Sequence, residues 1–302
     1  MGKAKAILRS MRFRTIPLSV AGVLLGSMLA LADYHIRMWT IVLLVLTAAA
    51  LQILSNLANE LGDVQHGTDT PEREGPLYGL NSGDLDIDDM KLLVKAFVLV
   101  SIVLGLLMVW VSFGTLFSMQ AIGVEILGAA AIWAAIRYTV GKNPYGHRGL
   151  GDVFVFIFYG LVTVMGGFYV CAHYVPLWPL ILPACAIGFF SVGVLNVNNI
   201  RDMKTDARVR TTVAMRLGPV KARIYQSVLI ALGWISMILY CLCRYPDPWH
   251  WLFVLTLPLY VLHIVGIWKK TDRGIDAMLP QLVVSTLLFS VLAGGGFIIF
   301  LI

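Results

Sequence analysis

Four polar side chains crowd the end of a long apolar run. Asn56, Asn59, Glu60 and Asp63, in the stretch NLANELGDVQHGTD, are spaced i, i+3, i+4 and i+7. On a helix that spacing gathers them on one face. Gly67 then permits a turn, and Asp69 follows. Further along, NVNNIRDMKTDARVR places Asn199, Asp202 and Asp206 at matching intervals, with Arg201, Lys204, Arg208 and Arg210 interleaved. Both clusters read N-x-x-[ND]-x-x-x-D. Two bare acidic faces at one depth would repel, and a shared divalent cation removes that conflict. Carboxylate and carboxamide oxygens suit Mg²⁺, which is typically held by one or two carboxylates plus substrate phosphates. The interleaved cations would meet the remaining phosphate charge. The implied chemistry is the binding, and the ionisation, of a diphosphate whose tail lies in a bilayer. The plainer reading, that polar residues merely cap helix ends, covers one cluster but not two in matched register.

The elements that must position these residues are membrane-spanning helices. The chain has 302 residues, 59% hydrophobic and 13% charged. Its apolar blocks have the length of about 20 residues that crosses a bilayer core. The expected class is an all-α integral membrane protein, one domain over 1–302, with nine spans near 17–33, 36–58, 92–112, 115–137, 152–173, 177–198, 222–242, 250–268 and 277–300. No small-residue cleavage site follows the first span, so it is not read as a signal peptide. With a cytoplasmic N-terminus, only Arg37 and Arg244 of the 23 Lys and Arg residues fall on the far side. That asymmetry follows the positive-inside rule. The net charge of +6 is therefore a topology signal aided by anionic membrane lipid, and requires no nucleic acid. The four cysteines, Cys171, Cys185, Cys241 and Cys243, lie in or beside apolar spans and read as small buried hydrophobes. The two acidic clusters end the second and sixth spans on the same side. This suggests two related helical halves facing one cavity.

Other stretches carry weaker signals. RYTVGKNPYGHRGLGD holds Arg137, Tyr138, Lys142, Tyr145, His147, Arg148 and Asp152 on the cytoplasmic side. It reads either as a site for an anionic aromatic substrate or as a basic loop. Its glycines make no nucleotide motif, since no strand precedes them. DLDIDD, before the third span, reads as a solvated acidic face. Glu125, central in the fourth span, either lines the reaction cavity or bonds to a neighbouring helix as a neutral acid. An ion-coupled transporter would also use repeats and intramembrane acids, but near the midplane of broken helices. A non-catalytic lipid-binding scaffold leaves the paired clusters without a role.

The chain resembles the UbiA-type superfamily of intramembrane aromatic prenyltransferases. NELGD occupies the place of the family's N-D-x-x-D, Asp202 to Asp206 that of its D-x-x-x-D, and Tyr138 with Lys142 matches Y-x-x-x-K. NLANELGDVQHGTD, RTIPLSVAGVLLG, PYGHRGLGDVFVFIFYG and NNIRDMKTDARVRTTVAMRLG are similar, in order and spacing, to the branch that prenylates 1,4-dihydroxy-2-naphthoate in menaquinone synthesis. Glu60 departs from the pattern, since the family usually has Asp there.

The resemblance implies nine transmembrane helices around a central cavity, in a multi-pass protein of the bacterial inner membrane. It implies Mg²⁺ held by Asn59, Asp63, Asp69, Asp202 and Asp206. Polyprenyl diphosphate and 1,4-dihydroxy-2-naphthoate would be contacted by Asn56, Asn59, Asn199, Arg137, Arg201, Lys204 and Arg208. Lys142 would share the diphosphate charge, Tyr138 would orient a ring hydroxyl, and Arg137 or Lys142 would hold the carboxylate of the acceptor. Glu60 ranks below Asp63 as a ligand. Other aromatic acceptors, such as 4-hydroxybenzoate, homogentisate or a chlorin, fit the acidic motifs equally well.

Overall fold

The computed structural model describes residues 2–67, 76–206 and 210–299, without the side chains of Lys204, Asp206, Asp272 and Arg273. Among the described residues there is no strand. A short amphipathic helix α1 (Lys3–Ser10) leads through a 3₁₀ turn into α2 (Ile16–Asp33), followed by α3 (Met38–His66), α4 (Ile87–Phe113) and α5 (Met119–Arg137). Then come α6 (Gly151–Ala172), α7 (Leu177–Arg201), a single turn Met203–Asp206, α8 (Val213–Cys243), α9 (Pro248–Lys269) and α10 (Gly274–Ile298). Among the described residues, the nine helices α2 to α10 are long and apolar enough to cross a membrane, so the chain is a polytopic membrane protein.

The helices run past the expected span ends, and the overrun carries the polar residues. α3 has 29 residues, ~43 Å at 1.5 Å per residue, against a hydrocarbon core of ~30 Å. Its acidic last turns therefore stay helical until Gly67, which adopts φ 68 and closes the helix. DLDIDD is more than a solvated face. Asp86 and Asp89 form a capping box that starts α4, and Asp89 also pairs with Lys3 at 2.7 Å. The kink in α8 falls at Gly218 (φ 77), followed by Pro219, which cannot continue the helical hydrogen-bond ladder.

α7 is the buried central helix, whereas α4 and α5 present apolar side chains such as Leu99, Leu107 and Ile126 outward, as lipid-facing helices do. Small residues let backbones approach in the interior. A Cβ on Gly160, in the π-helical part of α6, would lie 2.5 Å from Gly188 Cα on α7. The half built from α7 to α10 is locked by an aromatic cluster of Phe190, Trp234, Phe253, Tyr260 and Phe289. Beside it runs a buried polar chain. Asn196 donates to Gln226 (2.9 Å), Gln226 Nε2 lies 3.0 Å from His263 Nε2, and His263 Nδ1 lies 2.8 Å from Gln281 Oε1. This chain crosses α7, α8, α9 and α10, largely in spans that carry no distinctive sequence motif.

Candidate active site

A cavity of about 630 Å³ runs between the helices, walled along α3 from Leu44 to Asp63. Its walls change character along that length. Leu44, Ala48 and Leu51 of α3 face Ile102, Leu106 and Val109 of α4 and Gly128 and Ile132 of α5. Near the end of α3 the walls become polar, with Asn59, Asp63, Tyr138, Asn198, Arg201 and Arg210. Arg12, Arg14 and Tyr78 complete that end.

Each polar group is held by identifiable local chemistry. Asn59 Oδ1 accepts from Thr139 Oγ1 at 3.3 Å. Thr139 reaches α3 because residue 62 is glycine, since a Cβ there would lie 2.5 Å from the Thr139 hydroxyl. His66 adds a second tie, with its ring nitrogens 2.8 Å from Gly62 O and 3.1 Å from Gly141 O. Asp63 Oδ1 lies 3.7 Å from Arg210 Nη1, and both side chains are almost fully buried. Thr211 N–H donates to His147 O at 3.0 Å, which fixes the backbone beside Arg210. Burial, and then the charge of Arg210, pushes the His147 imidazole down to about 4, so at neutral pH it adds no cation there.

The N-terminal segment supplies two further cations. Arg12 adopts φ 50 and places its guanidinium 3.8 Å from the centre of the Tyr78 ring. Arg14 donates to Tyr78 Oη (3.1 Å) and to Asp276 (3.1 Å). Nε and Nη2 of Arg12 and Nε of Arg14 are buried and have no hydrogen-bond acceptor among the described residues. Arg201 forks onto both oxygens of Asp202 (2.7 and 2.6 Å), donates to Asn198 Oδ1 (2.6 Å), and also pairs with Asp276. Among the described residues, four guanidiniums thus border one end of the cavity against the carboxylates of Asp63, Asp202 and Asp276, and the buried nitrogens of Arg12 and Arg14 without an acceptor there leave donors suited to an anion. Beside Tyr138, the rings of Tyr145 and Phe154 stack at 3.9 Å, and Phe158 follows at 6.2 Å from Phe154.

Several expected site residues lie elsewhere. Asn56 borders the cavity, but its amide is committed to Met11 O (2.9 Å) and Thr15 Oγ1 (3.0 Å), so it braces the N-terminal segment. Glu60 does not share the cavity-facing side with Asn59 and Asp63; it is fully buried and accepts from Leu80 N–H at 2.7 Å. Asn199 and Asp202 are buried off the cavity wall. The face of α7 on the cavity is Ser191, Val194, Leu195, Asn198 and Arg201, about 100° from the repeat's register. Lys142 is exposed in the loop after α5, and Arg137 turns back to Val140 O (3.4 Å). Neither is on the cavity wall. Asp152 accepts from Tyr225 at 2.9 Å, and Arg148 is exposed. Asp69 and Arg208 lie outside the described residues, as do the side chains of Lys204 and Asp206. Glu125 lines the apolar part of the cavity, about 20 Å from Tyr138 along α5 at 1.5 Å per residue.

The donors at this end can be matched to a divalent cation. Asn59 and Asp63 offer hard oxygens at the cavity wall, which suit Mg²⁺ held partly by substrate phosphates. Asp202 lies off the cavity wall, and each of its oxygens accepts from Arg201. No group of three His, Cys, Asp or Glu side chains with metal-ligand placement occurs among the described residues.

The sequence matches the UbiA prenyltransferase family over residues 19–287. It is 40% identical over 284 residues to a 1,4-dihydroxy-2-naphthoate octaprenyltransferase of Escherichia coli (strain K12), covering 93% of this chain and 90% of that protein. It is 34% identical over 301 residues to the protein of the same description in Haemophilus influenzae (strain ATCC 51907 / DSM 11121 / KW20 / Rd), covering 98% and 97%. Among solved structures, the apo form of a UbiA homolog from Aeropyrum pernix K1 superposes with TM-score 0.68, covering 98% of this chain and 99% of that one at 16% identity. A UbiA homolog from Archaeoglobus fulgidus bound to GPP and Mg²⁺ gives 0.63, covering 97% and 99% at 15% identity. At such identities the likeness carries the fold alone.

Proposed function

This chain belongs to the UbiA prenyltransferase family, and on that premise we propose that it prenylates 1,4-dihydroxy-2-naphthoate in menaquinone biosynthesis. The donor is a polyprenyl diphosphate, and the products are demethylmenaquinol (the reduced, dihydroxy form of demethylmenaquinone), diphosphate and CO₂. One observation carries this reading beyond the family. A single cavity joins an arginine-rich end holding Asn59 and Asp63 to an apolar length bordered by lipid-facing helices. A lipid diphosphate has that same polarity along its length.

In this reading Arg12, Arg14, Arg201 and Arg210 neutralise the diphosphate and, with Asn59 and Asp63, fix its position. Asn59 and Asp63, with Asp206 and Asp69, would hold Mg²⁺, which when bound stabilises charge on the leaving diphosphate as a Lewis acid. The allylic C–O bond breaks, and the electron pair leaves with the diphosphate. The remaining allylic cation needs a dry site, which a cavity inside a helix bundle supplies. Tyr138, Tyr145, Phe154 and Phe158 offer π faces to it and a stacking surface to the aromatic acceptor. The new C–C bond forms at the ring carbon that carries the carboxylate. Loss of CO₂ returns the bond's electrons to the ring and restores aromaticity. Tyr138 orients a ring hydroxyl. In this reading the protein sits in a bacterial inner membrane with its polar end toward the cytoplasm, an orientation that the Lys and Arg distribution supports.

The test uses purified protein in nanodiscs with a polyprenyl diphosphate and Mg²⁺, offered 1,4-dihydroxy-2-naphthoate or 4-hydroxybenzoate, with products read by mass spectrometry. Demethylmenaquinol, read with the demethylmenaquinone that air oxidises it to, is expected from the first acceptor alone. Product from 4-hydroxybenzoate alone would keep the transfer chemistry and overturn the acceptor.

A further inference from the structure

The turn of α3 that carries Asn59 and Asp63 also carries Glu60, a carboxylate that the reaction leaves without a task. It is fully buried and absent from the cavity wall. One step along the helix turns it about 100° away from Asn59. There it accepts the backbone N–H of Leu80 at 2.7 Å. Placing a carboxylate in a buried position is costly unless it is hydrogen-bonded, so the bond to Leu80 anchors both partners.

Leu80 belongs to the segment that closes the polar end of the cavity. Two residues before it, Tyr78 lies under the Arg12 guanidinium and accepts from Arg14. Gly79 N–H donates to Ser10 Oγ at 3.1 Å, and Leu85 N–H to Gly79 O at 3.0 Å. Leu85 packs with Ile53, Leu57 and Leu61 of α3 and with Met90 of α4. Glu60 is therefore a polar pin between α3 and the segment that presents Tyr78.

We propose that Glu60 is a positioning residue, which through Leu80 and Tyr78 holds Arg12 and Arg14 at the diphosphate end of the cavity, and is not a metal ligand. The role in diphosphate binding rests on the proposed function, whereas the tether itself does not. The length of the side chain matters. Aspartate would fall one methylene short of Leu80, whereas glutamine keeps an oxygen at the same reach and can still accept the N–H. A metal ligand would behave in the opposite way, because glutamine removes the charge that binds the cation.

The experiment compares wild type with Glu60→Gln, Glu60→Asp and Glu60→Ala in nanodiscs. It reads amide hydrogen exchange at Leu80, KM and kcat with the polyprenyl diphosphate, and the Mg²⁺ concentration for half-maximal rate. Glu60→Gln should retain Leu80 protection and Mg²⁺ dependence. Glu60→Asp and Glu60→Ala should each lose about tenfold in Leu80 protection and raise KM by a similar factor, with kcat less affected and Mg²⁺ dependence unchanged. If Glu60→Ala fails to fold, Glu60→Asp carries the same comparison. Unchanged Leu80 exchange in Glu60→Asp would overturn the tether. A large rise in the Mg²⁺ requirement of Glu60→Gln, with Leu80 still protected, would overturn the exclusion of Glu60 from the metal. Should the protein transfer no prenyl group at all, the exchange result still decides the tether, and only the proposed function falls.

Discussion

Asp276, in the first turn of α10, pairs with both Arg14 and Arg201, so one carboxylate at the end of the bundle holds two guanidiniums of the cavity wall. Arg14 enters from the N-terminal segment and Arg201 from the end of α7. Asp276→Ala would remove the carboxylate they share, leaving Arg14 on Tyr78 and Arg201 on Asp202 and Asn198, with less counter-charge between the two guanidiniums. The expected outcome is a rise of about tenfold in KM for the polyprenyl diphosphate, with a smaller change in kcat. Asp276→Asn, which still accepts hydrogen bonds, should fall between the alanine variant and wild type. Steady-state kinetics with both variants checks this.

The site is less regular than the repeat that announces it. The membrane class and the helices were legible because apolar blocks of about 20 residues match the thickness of a bilayer core. The cluster at Asn59 and Asp63 was legible because it lies on one uninterrupted helix, where spacing reports the face. The second cluster departs from the register of the first for a physical reason. α7 ends at Arg201, and Asp202 (φ −90, ψ 9) leaves the helix, so residues 199, 202 and 206 do not form one continuous helical face. Asn198 carries the cavity contact that the repeat assigns to Asn199. Arg12 and Arg14 count equally as topology charges, and their partners Tyr78 and Asp276 are remote in sequence. No local spacing records such a pairing.

His147 gives the protein a pH dependence of definite sign. Its folded form holds the neutral ring down to about 4, whereas an ordinary histidine protonates near 6.5. Between those values the unfolded chain binds a proton that the folded chain does not, so acid favours unfolding. The stability from the neutral ring is fully present above pH 6.5 and is lost as the pH falls from 6.5 through 4. Thermal melts across that range should show a declining Tm, and His147→Asn, which cannot protonate, should flatten the decline.

The buried chain from Asn196 to Gln281 is expected to govern stability and not transfer. It lies among α7 to α10 and contributes no residue to the cavity. His263→Phe would remove one hydrogen-bond partner from each of Gln226 and Gln281. Interhelical hydrogen bonds of this kind are worth about 1–2 kcal/mol each, so a Tm lower by several degrees is expected. Activity well below the melt should be close to wild type.

The apolar length of the cavity should discriminate by tail. A Cβ at Gly128 meets no atom within 4 Å, so alanine fits, whereas a bulky ring would occupy the channel. Gly128→Phe is expected to raise KM for a long polyprenyl diphosphate by at least about tenfold, while geranyl diphosphate is used almost as before. Paired kinetics with the two donors reads the effect directly.

At the arginine-lined end of the cavity, Asn59 and Asp63 are proposed to bind the diphosphate together with Mg²⁺, and the rest of the mechanism depends on that step. Its most direct test is Mg²⁺-dependent binding of a non-transferable polyprenyl thiolodiphosphate to wild type, Asn59→Ala and Asp63→Ala in nanodiscs. Asp88→Ala, at an exposed position in the first turn of α4, serves as the control. The predicted result is tight binding that EDTA weakens, a loss of about a hundredfold with Asp63→Ala, a smaller loss with Asn59→Ala, and no change in the control. Full Mg²⁺-dependent binding by a folded Asp63→Ala protein would contradict it.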